Sequence, residues 1–440
     1  MTIQSPVEEL IERLAIEGGT PVRSHPLAWE APGGNGIGAA ELELVSRVMK
    51  AQSPFRFYGP DLQHMVDTLE REWREAFAHR HALGVSSGTA ALSIAMGALG
   101  IGPGDEVLVP GLLWVSTVSA VVRAGAIPRL VDIDDTFCMD PDDVLRKISP
   151  HTRAVLCVHI AGAPGRMHEI TEICRVRGLA LIEDCAQAAG ARQNGRAVGC
   201  FGDVGIFSFQ LNKTITSGEG GMVVCERDDV FKRVVAMHDL GYARNEQGRL
   251  DTSDQACQLW GIGARMSELA GAMALAQLRK LPDIVGWMRD AKWRIRRALD
   301  DIPSLAFRKI VDPSGDSGLN LICMLPDEQL CQRFVDAVRA EGIAGPFGSE
   351  ALLTMREWDL HWCSNIPSLV HKRSNSREGL PWSHPANAFA ADYTYGQGTL
   401  PRCDDLQARG AILSMGSITT DEHVDDVIAA FRKVAQILLP

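Results

Sequence analysis

Phe207-Ser208-Phe209-Gln210-Leu211-Asn212-Lys213-Thr214-Ile215-Thr216-Ser217-Gly218-Glu219-Gly220-Gly221 is an apolar, strand-like stretch that ends in one lysine, small hydroxyl residues and three glycines. Glycine lets the backbone turn sharply or come close to a ligand. A lysine held there away from bulk water has its pKa lowered and becomes a nucleophile toward an aldehyde. An ordinary solvated loop lysine gives the same local pattern, so the run gains its meaning from what surrounds it.

Upstream lies Ile182-Glu183-Asp184-Cys185-Ala186-Gln187-Ala188, directly after the apolar run Gly178–Leu181. Such a run reads as a buried parallel strand. Asp184 then falls at the carboxyl end of that strand, where open α/β sheets bind ligands. A helix N-cap is the competing reading for an Asp after a strand. Further upstream is Val85-Ser86-Ser87-Gly88-Thr89-Ala90-Ala91-Leu92, between a helix expected over 66–78 and an Ala-rich helical segment ending near Gly100. Small residues at a helix start expose backbone N–H groups to an anion. A plain Ser/Thr cap is the alternative.

A lysine nucleophile, a carboxylate at a strand end and an anion cup are the three groups that pyridoxal 5'-phosphate requires. The carboxylate keeps the pyridine nitrogen protonated, which makes the ring a better electron sink. Gln187, three residues after Asp184, is placed to reach the ring's phenolic oxygen, and Ser208 to add a hydroxyl to the phosphate.

The blocks together resemble the DegT/DnrJ/EryC1/StrS family of fold-type I pyridoxal-phosphate enzymes, mostly sugar and cyclitol aminotransferases. The likeness begins at Gly18-Gly19-Thr20-Pro21-Val22-Arg23 and Arg56-Phe57-Tyr58-Gly59. It continues through Gly102–Val107, Trp114–Ala120, Val131–Asp134 and Val158-His159-Ile160-Ala161-Gly162. It resumes at Arg265–Leu269 and closes at Thr420–Val427. The resemblance implies that Lys213 is the Schiff-base lysine, Asp184 the partner of the pyridine nitrogen and Gln187 the contact to the ring oxygen. It implies Gly88, Thr89 and Ser208 as phosphate ligands and Trp114 as the aromatic stacked on the ring; a buried structural tryptophan is the other reading of Trp114. His159 takes a structural or substrate-side role and Tyr58 a place near the substrate entrance. One departure stands out. The family carries an Asn, offered to the neighbouring subunit's phosphate, two residues before the arginine that corresponds to Arg265; here that position is Gly263. Either its backbone N–H, Arg265 or another residue then makes the contact.

The resemblance implies transamination: an amino group moves from a donor, glutamine or glutamate, to a keto-sugar or keto-cyclitol. The opening Gly-Gly-Thr-Pro-Val-Arg run looks most like the cyclitol and aminohydroxybenzoate branch, in secondary-metabolite biosynthesis. Family dehydratases replace the lysine by histidine, so Lys213 argues against dehydration. A lyase, cyclase or substitution reaction keeps the lysine and stays open. A non-catalytic regulator has no need for Lys213, Asp184 and Gln187 together. A homodimer with shared active sites is implied.

The chain has 440 residues, 46% of them hydrophobic, and a formal net charge of −11. That acidity argues against nucleic acid, whose binding needs a basic footprint. Eleven scattered cysteines, with no Cys-x-x-Cys pair, predict reduced thiols and a cytoplasmic setting. The histidines show no metal spacing, no apolar run reaches membrane-spanning length, and no repeat is present. The fold class expected is α/β: a large domain with a mostly parallel sheet sandwiched by helices, plus a smaller C-terminal α+β domain. The division expected is an N-terminal arm over 1–30 with a short amphipathic helix from Val7 to Ile16, a large cofactor domain over 31–285 and the small domain over 286–440. Strands are expected at Glu106–Val109, Ile127–Val131, Ala154–Val158, Leu179–Ile182, Val204–Phe207 and Gly221–Val224. A helix from Ser267 to Leu299 is expected to break near Pro282. Residues 343–402 read as loop-heavy and part of the substrate pocket, or as a surface insertion. Gly33-Gly34-Asn35-Gly36-Ile37-Gly38 superficially suggests a nucleotide loop, but it follows no convincing strand and reads as a flexible connection.

Overall fold

The computed structural model describes residues 13–346 and 351–439. The expected helix from Val7 falls mostly outside them; within them Ala15–Glu17 forms a single 3-10 turn.

Short runs of branched and apolar residues between helices form a seven-stranded sheet. From one edge its order is His81–Val85, Gly221–Cys225, Val204–Ser208, Ala180–Asp184, Thr152–Val158, Glu106–Pro110 and Ile127–Val131. Gly221–Cys225 pairs antiparallel with both of its neighbours; the other strands run parallel to one another. All seven strands are buried at every residue or all but one, as a sheet covered by helices on both faces requires. Each expected run is a strand. The edge strand His81–Val85 was not expected: Gly84 interrupts its apolar pattern. That glycine N–H donates to Glu70 Oε1 at 2.8 Å.

A second sheet, antiparallel throughout, is ordered Ala306–Phe307, Asn320–Met324, Gly410–Ser414, Leu352–Thr354. The helix Glu268–Leu299 serves both halves of the molecule. Its first part packs Ala272 and Leu275 with Val66, Leu69 and Trp73; its last part packs Ile295 and Leu299 with Phe334 and Phe431. The expected break at Pro282 does not occur, since the helix is continuous through it. Proline removes one backbone donor, but Pro282 lies on the exposed face. Leu278, Leu281 and Val285 remain packed on the opposite side and hold the two segments in line.

The Gly33–Gly36 stretch is also not the loose connection expected. Pro32–Asn35 is a helical turn with Pro32 and Gly33 buried. Gly33 N–H donates to the Lys213 carbonyl at 3.2 Å. A Cβ on Gly33 would stand 2.9 Å from Ile215 Cα, so only glycine permits this approach. Residues 351–400 hold one three-residue strand, one four-residue helix and a series of 3-10 turns. All eleven cysteines are buried and unpaired. Burial pushes their thiols up, Cys174, Cys200 and Cys225 each to about 12. No helix among the described residues is long and apolar enough to cross a membrane.

Candidate active site

A cavity of about 520 Å³ opens at the carboxyl ends of the parallel strands. Gly88, Thr89, Trp114, Asp184, Gln187, Ser208 and Lys213, far apart in the chain, all line it.

Asp184 ends its strand and alternates with Glu183, so the two carboxylates face opposite sides of the sheet. No helix starts after Asp184; the chain enters a turn, which removes the N-cap reading. Thr117 Oγ1 donates to Asp184 Oδ2 at 2.7 Å and Ala186 N–H to Oδ1 at 3.1 Å. Burial raises the Asp184 carboxyl above its ordinary range, opposed by those two bonds and by the nearby charges of Lys213 and His159. Glu183 is fully buried and accepts from Gly199, Phe201 and Gly202 N–H at 2.6–2.8 Å and from His159 Nε2 at 3.0 Å. His159, Glu183 and Cys185 cluster within 4.8 Å, but these donors already occupy the Glu183 oxygens. His159 thus sits behind the cavity, not on its lining.

Lys213 follows the strand Val204–Ser208 by a short turn, its N–H donating to Gln210 O at 3.0 Å. Burial pulls its ammonium below the ordinary lysine value, partly offset by the Asp184 carboxylate. The helix Gly88–Ala98 begins at the cavity with Ser87 as N-cap, its hydroxyl accepting from Ala90 N–H at 3.1 Å. Thr89 Oγ1 donates to Ser116 Oγ at 2.9 Å. A Cβ on Gly88 would lie 2.7 Å from Ser208 Cβ. Bare backbone at the helix start is therefore what brings Ser208 beside the first free N–H groups. Trp114 is 40% exposed at the start of another helix, which excludes the buried-core reading.

Gln187 Oε1 accepts from Ala161 N–H at 2.8 Å. Ala161 adopts φ +53°, a left-handed conformation that L side chains rarely adopt and that the surroundings must enforce. The enforcing group is Arg308, 2% exposed, whose guanidinium donates to the carbonyls of Thr136, Ile160 and Ala163 at 2.6–2.9 Å. Arg308→Met is expected to destabilise the protein by about 3 kcal/mol, since three buried acceptors lose their donors. A melting temperature within a degree of wild type contradicts this account.

Several residues that shape the site were not found from sequence. Thr117 lies three residues after Trp114, one helical turn on, and that spacing is the signal that would have found it. Trp358 and His361 come from the irregular 351–400 stretch, and Asn320 from the second sheet. Tyr58 does not line the cavity; it is 64% exposed and packs edge-on against Phe55 at 4.7 Å. Gly263 has φ +66°, and its N–H already donates to Asp239 O at 2.7 Å. Arg265 is ion-paired with Asp239.

Residues 37–347 match the model of the DegT/DnrJ/EryC1/StrS aminotransferase family. An L-glutamine:2-deoxy-scyllo-inosose aminotransferase of Micromonospora echinospora is 38% identical over 96% of this chain and 97% of that protein. A GDP-perosamine synthase of Vibrio cholerae is 40% identical over 54% of this chain and 63% of that protein. Among solved structures, DesV of S. venezuelae superposes with a TM-score of 0.75 at 26% identity, covering 94% of this chain and 98% of that one. A 3-amino-5-hydroxybenzoic acid synthase shares the fold, with a TM-score of 0.73 at 24% identity over 95% of this chain and 98% of that one. Fold, cavity and kinship converge: this chain belongs to the DegT/DnrJ/EryC1/StrS aminotransferase family and is a pyridoxal-phosphate-dependent enzyme of it.

Proposed function

We propose that this aminotransferase moves the amino group of glutamine or glutamate onto the ketone carbon of a keto-cyclitol of the scyllo-inosose type. The observation that carries the reading is the near-full-length likeness to a glutamine:2-deoxy-scyllo-inosose aminotransferase. The cavity supports it: Lys213 and Asp184 face one space, which Trp358 and His361 also line. The shorter likeness to GDP-perosamine synthase makes a nucleotide keto-sugar the second acceptor class to test.

The residues present fit pyridoxal phosphate. The space that a Cβ on Gly88 would fill is left open beside Ser208 and the helix start. Gly88, Thr89 and Ser208 would hold the phosphate by backbone N–H and hydroxyl groups. Trp114 would cover one face of the ring, Asp184 would keep the ring nitrogen protonated, and the Gln187 amide would donate to the phenolic oxygen. When bound, the cofactor supplies an electron sink for the carbon that loses a proton. Lys213 Nζ is the amine that would capture the cofactor's aldehyde carbon. As a free amine, Lys213 Nζ would take the proton from the amino-bearing carbon of the donor and deliver it, on the same face, to the carbon that receives the amino group. In the second half-reaction it delivers a proton to the former ketone carbon of the acceptor. Positioned proton transfer of this kind contributes about 10²–10⁴-fold.

The large unit 31–285 carries the cofactor groups in this reading, and the unit 286–440 adds the acceptor wall. A second copy of the chain completes each site; Trp260 at 93% exposure, with Ile262 and Leu240 also exposed beside Gly263, supports a covered face there. Gly263 N–H is engaged within its own chain, which leaves Arg265 or another residue for the phosphate across the interface.

The test is an absorption spectrum of the purified protein, titrated with glutamine, glutamate and alanine. A band near ~420 nm that moves to ~330 nm with one donor, and returns on adding a scyllo-inosose ketone, is expected. A band that no donor moves sinks transamination and favours a lyase or cyclase. Gly88→Ala is expected to destabilise the site by about 1–3 kcal/mol through overpacking against Ser208. It should weaken cofactor retention about tenfold at equal protein concentration, read by the same band. Undiminished retention contradicts the phosphate assignment.

A further inference from the structure

We propose that His361 is a positioning residue that fixes the amide of Gln187 so that one of its N–H groups is turned to the cofactor's ring oxygen. The inference rests on the reading of Gln187 given above.

The hydrogen bonds leave no freedom in the assignment. Ala161 N–H is a donor, so the Gln187 atom it meets at 2.8 Å must be the oxygen. The Gln187 nitrogen therefore lies 3.2 Å from His361 Nε2. An amide nitrogen only donates, so His361 Nε2 is the acceptor and carries no proton. The proton of the neutral ring is then on Nδ1, which donates to the Trp358 carbonyl at 3.0 Å. Burial, together with the Lys213 charge, pulls the His361 imidazolium down to about 3, so the acceptor persists at any working pH. Gln187 has two amide hydrogens. One is held by His361, and the other is left facing the cavity.

The ring itself is clamped. It stacks on Trp358 at 4.0 Å and 14°, and meets Trp114 at 4.8 Å and 50°. Its backbone is pinned as well: Leu113 N–H donates to His361 O at 2.8 Å, and Cys363 N–H to Gly111 O at 2.9 Å. The irregular stretch is thereby stitched to the residues that lead into Trp114. A side chain stacked on one indole, met by a second and bonded at both ring nitrogens has little rotamer freedom left to lose, which is what orients an amide well.

The experiment is a double-mutant cycle on full-length protein stripped of and reloaded with pyridoxal phosphate. The cofactor dissociation constant and the pH midpoint of the ~420 nm band are measured for wild type, His361→Phe, Gln187→Ala and the double variant. His361→Phe keeps an aromatic ring against Trp358 and removes the acceptor. It should raise the dissociation constant about 3- to 10-fold, the range of one neutral hydrogen bond, and shift the midpoint. In the Gln187→Ala background the same change should do nearly nothing. His361→Gln, whose side-chain oxygen reaches the Nε2 position, should restore the wild-type midpoint; if His361→Phe fails to fold, this variant and His361→Ala carry the cycle. Equal losses in both backgrounds, or wild-type binding by His361→Phe, overturn the proposal. A loaded wild type with those results leaves the aminotransferase reading standing; a wild type that takes up no cofactor defeats both.

Discussion

Lys213→Ala is expected to fold normally and to lose turnover by at least about 10³-fold, with the ~420 nm band absent. Lys213 is the only lysine or arginine that lines the cavity among the described residues. No neighbour can take over covalent capture or the proton. Its stability effect runs the other way. Burial holds the Lys213 pKa below its usual 10.5, so in protein stripped of cofactor the folded state carries a disfavoured ammonium. The penalty is fully present below the lowered pKa and disappears as pH rises past about 10.5. Stripped Lys213→Ala should therefore melt no lower than stripped wild type at neutral pH, and any advantage should vanish in strong alkali. Paired activity and melting measurements decide the matter. Activity within tenfold of wild type removes Lys213 from the chemistry; a collapsed melting temperature makes it a structural residue.

Asp184→Asn is expected to lower kcat about 10²–10³-fold, the range for deleting one preorganised electrostatic partner. Asparagine fits the same space and still accepts a hydrogen bond at Oδ1, but it cannot hold the ring nitrogen protonated. Cofactor should still bind, with its affinity lowered and its spectrum altered. Burial raises the Asp184 carboxyl in the stripped protein. Its carboxylate form is disfavoured there above the raised pKa, and the disfavour is lost as pH falls through that value. Asp184→Asn without cofactor should thus be at least as stable as wild type at neutral pH. Pre-steady-state kinetics of the donor half-reaction, beside a melting curve, read both effects. Unchanged kinetics mean that the ring nitrogen has another partner. An opposed effect on function and stability at two residues is what a site shaped for a bound group produces.

The large sheet was legible because its strands are buried on both sides, so each appears as a short unbroken apolar run such as Leu179–Ile182. His81–Val85 escaped notice because Gly84 breaks the run and its place is set by pairing with Gly221–Cys225, more than a hundred residues away. The continuity of the helix at Pro282 was hidden for a related reason. Local propensity argues for a break, while packing of Leu278, Leu281 and Val285 decides. Lys213, Asp184 and Gln187 stood out because each sits in a local motif. His361 has none. It reaches Gln187 across 174 positions of sequence, through an irregular stretch whose path depends on backbone bonds to residues 111–113.

The buried cysteines have a consequence for watching this protein move. With every thiol covered and the shifted pKa values raised, a maleimide or disulfide reagent has almost no thiolate to attack in the native state. Modification must wait for the chain to open. The eleven sulfurs are spread through all four hydrophobic clusters or beside them. Their order of labelling is a built-in clock for which layer of the molecule breathes first, and cofactor should slow the sulfurs around its own strand before those of the antiparallel sheet.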